Sequence, residues 1–349
     1  MEKDILYNYE EGIGILYFPA VQSHGIIIPS GSAGVGYRRA SAAQSAMNGM
    51  RNMAKIRIES PRDLVVKANE IRSYLIDALH YIGGIHIGGA LSALDVAVAL
   101  FYKHMEFDPE ELLADPARNQ FLLSKGHAGI LLYTIFCDMG IYDFDYLFKS
   151  YNTIGSPFGG HPNRHYTKGV EASTGSLGHG LSWAFGWAWA NKMQGIKSRQ
   201  YVIMGDGEQE EGQIWEAALS IASKKLDSVV GIVDFNHASA NFYTGENVTW
   251  GEKGGMEGLA DIYRAFGWNA QILDGTDMKA IDEALSNLPP VTYEGKPNVL
   301  ILDTKKGQGI GYMMDTGPAW HIGGIDAELY KTTKKEIEEY NAKKLKEVE

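Results

Sequence analysis

At 349 residues the chain makes one large domain, or two at most. Its hydrophobic fraction of 45% and charged fraction of 21% are those of a globular protein, and a net charge of −11 argues against a surface that grips nucleic acid or anionic lipid. The single cysteine, Cys137, excludes an internal disulfide framework and a cysteine-based zinc cluster, and no apolar stretch approaches the roughly 20 residues of a membrane span, so the cytoplasm is the expected compartment.

Residues 1–60 differ from the rest. They pass from alternating aromatic and acidic residues into the small-residue run Ser30-Gly31-Ser32-Ala33-Gly34-Val35-Gly36. That glycine spacing fits neither a Walker nor a Rossmann loop, and no Lys-Ser/Thr pair follows, so the segment reads as a structural turn or an arm that crosses another subunit. Ser60-Pro61-Arg62-Asp63 is a helix start, with Leu64, Ala68, Ile71, Leu75 and Leu79 recurring at helical spacing. A second apolar helix is expected over 90–102, and 83–89 is too rich in glycine for a helix interior.

A short buried strand is predicted at 119–124, then a helix over 181–193 carrying Trp183, Trp187 and Trp189. Further strands are predicted at 200–204, 229–234, 269–273 and 298–302, separated by helices over 213–224, 258–266 and 278–288. This alternation implies an α/β fold, a parallel sheet with helices on both faces and a ligand site at the carboxyl ends of the strands. The expected α/β domain spans 61–326, and 327–349 reads as a charged helix with a solvated face.

Chemistry concentrates where the second and third strands end. One stops in Gly205-Asp206-Gly207 and the next in Asp234-Phe235-Asn236. Adjacent parallel strands bring Asp206 and Asn236 together. One carboxylate and one amide suit Mg²⁺ when the ligand supplies anionic oxygens, and the glycines let backbone approach a diphosphate. An Asp turn beside an unrelated Asn would read the same way.

The surrounding blocks resolve this by likeness. The chain resembles the N-terminal, diphosphate-binding half of transketolase over residues 63–325. The likeness rests on Ile85-His86-Ile87-Gly88-Gly89-Ala90-Leu91-Ser92, Ser124-Lys125-Gly126-His127, Gly160-His161-Pro162, the glycine-rich run at 169–180, Gly205-Asp206-Gly207 with Glu211-Gly212, Asp234-Phe235-Asn236 and Trp320-His321. The resemblance implies thiamine diphosphate and Mg²⁺ as cofactors, with Asp206, Asn236 and the Ala238 carbonyl holding the metal. It implies His127 and His321 near the diphosphate and reacting carbon, and His86 and His161 along the substrate channel. It also implies Gly175, Ser176 and Leu177 against the aminopyrimidine ring, Gly205 and Gly207 beside the diphosphate, and Glu211 and Glu216 as a buried acidic pair linking two active sites. Imidazoles suit proton transfer at sugar hydroxyls, because they titrate near the working pH.

Three departures stand out. Ile87 follows His86 where the family commonly has Pro, the segment after Asn236 lacks the family's frequent Asp-Gly turn, and 1–60 has no counterpart. The family's ring-activating Glu belongs to a second, pyrimidine-binding domain for which no segment after Ile325 is expected. The resemblance therefore implies one subunit of a split transketolase, joined to a pyrimidine-domain partner in a heterotetramer and acting on small anionic sugars. The alternatives are a subunit similar to 1-deoxyxylulose-phosphate synthase or a 2-oxoacid dehydrogenase component, and a catalytically silent binding or regulatory subunit.

Overall fold

The computed structural model describes residues 57–105, 115, 117–246 and 248–348. The expected N-terminal arm lies outside the described residues, apart from 57–60. Helix α1 (Pro61–Tyr81) starts as its sequence dictates: the Ser60 side chain accepts from the Asp63 amide at 3.1 Å and Pro61 occupies the first turn. Next come α2 (Ile87–Ser92) and α3 (Leu94–Ala99), which runs into a wider turn at Leu100–His104. The remaining order is β1 (Gln120–Leu123), α4 (Gly129–Asp138), α5 (Phe144–Ser150), α6 (His179–Gln194), β2 (Gln200–Gly205), α7 (Gly212–Ser223), β3 (Val229–Phe235), α8 (Gly255–Ala265), β4 (Asn269–Asp274), α9 (Met278–Ser286), β5 (Asn298–Asp303), α10 (Gly311–Thr316) and α11 (Ala327–Lys346).

The strands form one sheet in the order β1-β2-β3-β5-β4, with every neighbouring pair parallel. Strands β2 and β3 are buried along their whole length, as a sheet covered on both sides requires. Side chains alternate between two cores. Tyr201, Ile203, Val230 and Ile232 join the core under α1, α3, α4 and α9. Val202, Met204, Val229 and Val233 join the core under α6, α7 and α8. The edge strand β4 is only half-buried.

The structure corrects three sequence expectations. The single helix expected over 90–102 is broken at Ala93, where ψ is −1°. Beside the break, the Ser92 hydroxyl donates to Asp234 at 2.6 Å, with the Gly89 carbonyl 3.3 Å from the same oxygen. Gly88 and Gly89 lie inside α2 after all. A side chain on Gly88 would sit 2.5 Å from the Trp320 carbonyl and 2.8 Å from Lys306, so the glycine permits a close approach.

The third correction concerns α11, which keeps its charged solvated face but buries the opposite one. Thr333 and Ile337 are buried, Leu329 and Tyr330 pack on the α1 core, and Lys334 meets Asp77 on α1 at 2.9 Å. Tyr340 lies 5.0 Å from the guanidinium of the buried Arg72, which is itself paired with Asp95. The apolar stripe is hidden in the sequence by the Glu/Lys positions around it.

Candidate active site

The carboxyl ends of β1, β2, β3 and β5 converge on one cleft of about 390 Å³, within the range of small-molecule sites. Its lining includes His86, His127, His161 and His321, with Asp206, Asn236 and Ala238, and two lysines, Lys125 and Lys306. Each arrives for a local reason. His86 precedes α2, and His127 lies in the tight turn between β1 and α4. Asp206 follows the last residue of β2, and Asn236 follows β3, with Gly205 in register with Asp234. The Asp206 amide donates to the Asp234 carbonyl at 3.2 Å. The strand ends therefore bring the two residues to one edge, as the sequence predicts.

The imidazoles form a group. The His86 ring lies 5.6 Å from His127, 6.0 Å from His161 and 5.1 Å from His321, and His127 and His321 are 4.9 Å apart. Burial lowers the pKa of His127 well below the usual value, and the Lys125 cation adds to the effect. Burial and then Lys306 push His321 down to about 4. His86 is lowered by burial, by His161 and by Lys306. These shifts favour the neutral form of the three rings, which offers one donor and one acceptor each.

His161 is held by the backbone across from it. Gly175 has φ +133°, and a side chain there would lie 2.9 Å from the His161 ring. Leu177 also lines the cleft. Ser176, between them, is exposed and does not.

Beneath the histidines is a buried polar floor. Asp234 accepts from Ser92 at 2.6 Å, from Thr304 at 2.5 Å, from Asn236 at 3.3 Å and from Lys125. Glu208, also buried, accepts from the Gly178 and Gly205 amides at 2.8 and 3.0 Å and from the Ser124 hydroxyl. Lys306 is 3% exposed, and burial lowers its pKa to about 8, with Lys125 adding to the shift. Burial raises Asp206 to about 6, helped by the charge of Asp234. Its carboxylate accepts from Thr244 at 2.8 Å and from the Gly207 amide at 2.9 Å.

This donor set fits the expected cofactors. A buried carboxylate destabilised in its charged form gains from a neighbouring cation. The oxygens of Asp206, Asn236 and the Ala238 carbonyl are those of a hard ion that fills its shell with phosphate oxygens and water. Among the described residues there is no cluster of three His, Cys, Asp or Glu side chains able to hold a metal alone. Lys125 and Lys306 give the cleft positive charge for an anion.

In the chain by itself Glu211 and Glu216 are exposed, outside the cleft lining. Glu211 precedes α7 and Glu216 lies on its outward face, whereas the buried glutamate of this stretch is Glu208. Sequence reasoning also passes over Lys125, Asp234 and Glu208, although each stands in or beside a recognised block. Lys306 escapes it entirely. Its signal is the glycine-flanked pair Lys305-Lys306-Gly307 immediately beyond β5.

Residues 64–338 match the family model described as transketolase, thiamine diphosphate binding domain. The chain belongs to the transketolase family. It is 34% identical over 284 residues to the 6-deoxy-6-sulfo-D-fructose transketolase subunit of Clostridium sp. strain MSTE9, covering 81% of this chain and 99% of that protein. It is 34% identical to an apulose-4-phosphate transketolase subunit of Phocaeicola vulgatus, covering 79% of this chain and 94% of the relative. Among solved structures, the transketolase of Campylobacter jejuni superposes with a TM-score of 0.68 at 25% identity, covering 82% of this chain and 46% of that one. The chain thus spans about half the length of the solved transketolases, and nearly all of the relatives named as subunits.

Among the described residues no helix is long and apolar enough to cross a membrane. His80 Nδ1 lies 3.2 Å from the Ile325 carbonyl, with its ring stacked on Tyr330, and His104 lies 2.8 Å from Asp282.

Proposed function

We propose that this chain is the diphosphate-binding half of a split transketolase. It works with thiamine diphosphate, Mg²⁺ and a separate pyrimidine-domain partner in a cytoplasmic heterotetramer, and transfers a two-carbon ketol unit from a ketose to an aldose. The observation that carries this reading is the convergence of His86, His127, His161 and His321 over a cleft floored by Asp206, Asn236 and Ala238.

Thiamine diphosphate, when bound, supplies the electron sink for breaking the carbon–carbon bond beside a ketose carbonyl. Asp206, Asn236 and the Ala238 carbonyl would hold Mg²⁺, and Lys125 and Lys306 would balance the charge of the diphosphate. Gly175 and Leu177 would serve the aminopyrimidine ring, His127 and His321 the reacting end of the cofactor, and His86 and His161 the sugar hydroxyls. Neutral imidazoles suit these positions because each can pass a proton or hold a hydroxyl oxygen without carrying a charge.

The relatives' names point to the substrate. A 6-sulfo sugar and a sugar 4-phosphate are both anionic. We therefore propose a ketose with a terminal phosphate or sulfonate as the donor.

Calorimetry with thiamine diphosphate on the complex of both chains tests the cofactor assignment. The expected result is binding that needs Mg²⁺ and disappears with a chelator; binding unaffected by the chelator would refute it.

A further inference from the structure

Lys306 has no part in the roles the resemblance carries over, yet its side chain is held from several sides of the cleft. Its Nζ donates to the Ser239 carbonyl at 2.6 Å and lies 3.1 Å from Nδ1 of His321. Its stem passes over Gly88 on α2, where a side chain would sit 2.8 Å from Cγ, and the Gly307 amide donates to the Gly88 carbonyl at 3.1 Å. Three segments thus fix one side chain: the loop after β3 and the turn carrying His321 hold its amine, and the start of α2 its stem.

We propose that Lys306 is a positioning residue of the transfer site: by donating to Nδ1 of His321 it holds that ring in the Nε2–H tautomer, as a permanent hydrogen-bond donor toward the cleft. A lysine ammonium has three donors and no acceptor. The nitrogen facing it must therefore accept and carries no proton, so the proton of the neutral ring lies on Nε2. Nε2 makes no hydrogen bond among the described residues, and the ring lines the cleft beside His86 and His127. The adjacent cation also opposes a second proton on the ring, in line with its lowered pKa.

The consequence divides labour among the histidines. A ring that donates from Nε2 holds a ketose carbonyl or hydroxyl oxygen and does not abstract a proton, so proton removal falls to another of the three imidazoles. This division rests on the transketolase reading; the tautomer does not.

Two-bond nitrogen–proton correlation spectra of the full chain with ¹⁵N-labelled histidine test the assignment, with His321 identified from a His321→Gln variant. No cofactor or partner is added. The native chain should show a pyridine-like, hydrogen-bonded Nδ1 and a pyrrole-like Nε2 for His321. In Lys306→Met the Nδ1 resonance should move to the position of an unbonded nitrogen, and Lys306→Arg should restore it. A pyrrole-like Nδ1 in the native chain overturns the proposal, even if the Met variant does not fold. An unchanged His321 pattern in a folded Lys306→Met variant overturns it too. Absence of ketol transfer in a separate assay with the partner would sink the functional reading and leave the tautomer standing.

Discussion

Lys125 and Asp234 form an ion pair in which neither side chain is more than 1% exposed, at the floor of the cleft. The pair joins the end of β1 to the end of β3, across β2. Asp234 also gathers the hydroxyls of Ser92 and Thr304, from α2 and from the end of β5. The network therefore ties four segments that carry site residues. Removing one member of a buried pair strands the other charge, a loss of about 3–5 kcal/mol. Lys125→Met should lower unfolding free energy by about 3 kcal/mol with an unchanged denaturant slope. Urea titration of the native and variant chains checks it, and a loss under about 1 kcal/mol would mean the pair is not a structural tie.

Asp206 behaves in the opposite sense. It is a buried carboxylate beside Asp234, with burial and that neighbour both disfavouring its charge. Asp206→Asn keeps the shape and removes the charge, so the chain alone should be no less stable than native. The same change should weaken Mg²⁺-dependent binding of thiamine diphosphate by at least about tenfold, the lower end of what even outer-shell partners of a metal contribute. Calorimetry and thermal unfolding on one preparation read both effects. Equal cofactor affinity in native and variant would remove Asp206 from the metal site.

His161 is expected to face the sugar. His161→Ala should lower kcat more than it weakens cofactor affinity. Gly175→Ala should lower both kcat and cofactor affinity, because the added carbon would strike the His161 ring, Gly175 already sits at φ +133° and the residue is assigned to the aminopyrimidine ring. Steady-state kinetics beside cofactor titration separates the effects. If affinity for thiamine diphosphate falls as steeply as turnover in His161→Ala, the ring serves the cofactor instead.

Acid should destabilise the chain through the buried imidazoles. The folded-state pKa of His321 is about 4, against 6.5 for the free side chain, and His86 and His127 are also lowered. The unfolded chain therefore binds more protons between these values. Stability contributed by the neutral rings is present above pH 6.5 and is lost as pH falls toward 4. Chemical denaturation at a series of pH values follows this, and His321→Gln should flatten part of the decline. A decline identical in native and variant would show that His321 does not contribute.

The strands and most helices are legible because their causes are local. Val229, Val230, Ile232 and Val233 form an apolar run that only a strand buried on both faces explains, and Ser60-Pro61 carries its own cap. Asp206 and Asn236 can be paired from the sequence because parallel neighbours in register bring their ends together. What sequence misses depends on distant segments. Lys306 matters through Ser239, His321 and Gly88, none of which is near it in the chain. The glutamates of 208–216 look alike as sequence. Only the packing against Ser124 and the Gly178 amide singles out Glu208 as buried and leaves Glu211 and Glu216 at the surface. The stripe on α11 escapes for a similar reason, since its apolar partner is α1.

The central claim is that this chain contributes the diphosphate half of a two-chain transketolase. A ketol-transfer assay tests it most directly, with an anionic ketose donor, an aldose acceptor, thiamine diphosphate and Mg²⁺. It is run on the purified chain by itself, on a pyrimidine-domain partner by itself and on the two together. The account predicts turnover only in the mixture, and its loss when Asp206→Asn replaces the native chain. Turnover by this chain without a partner, or a mixture that assembles and binds cofactor yet transfers no ketol unit from any anionic ketose, would contradict it.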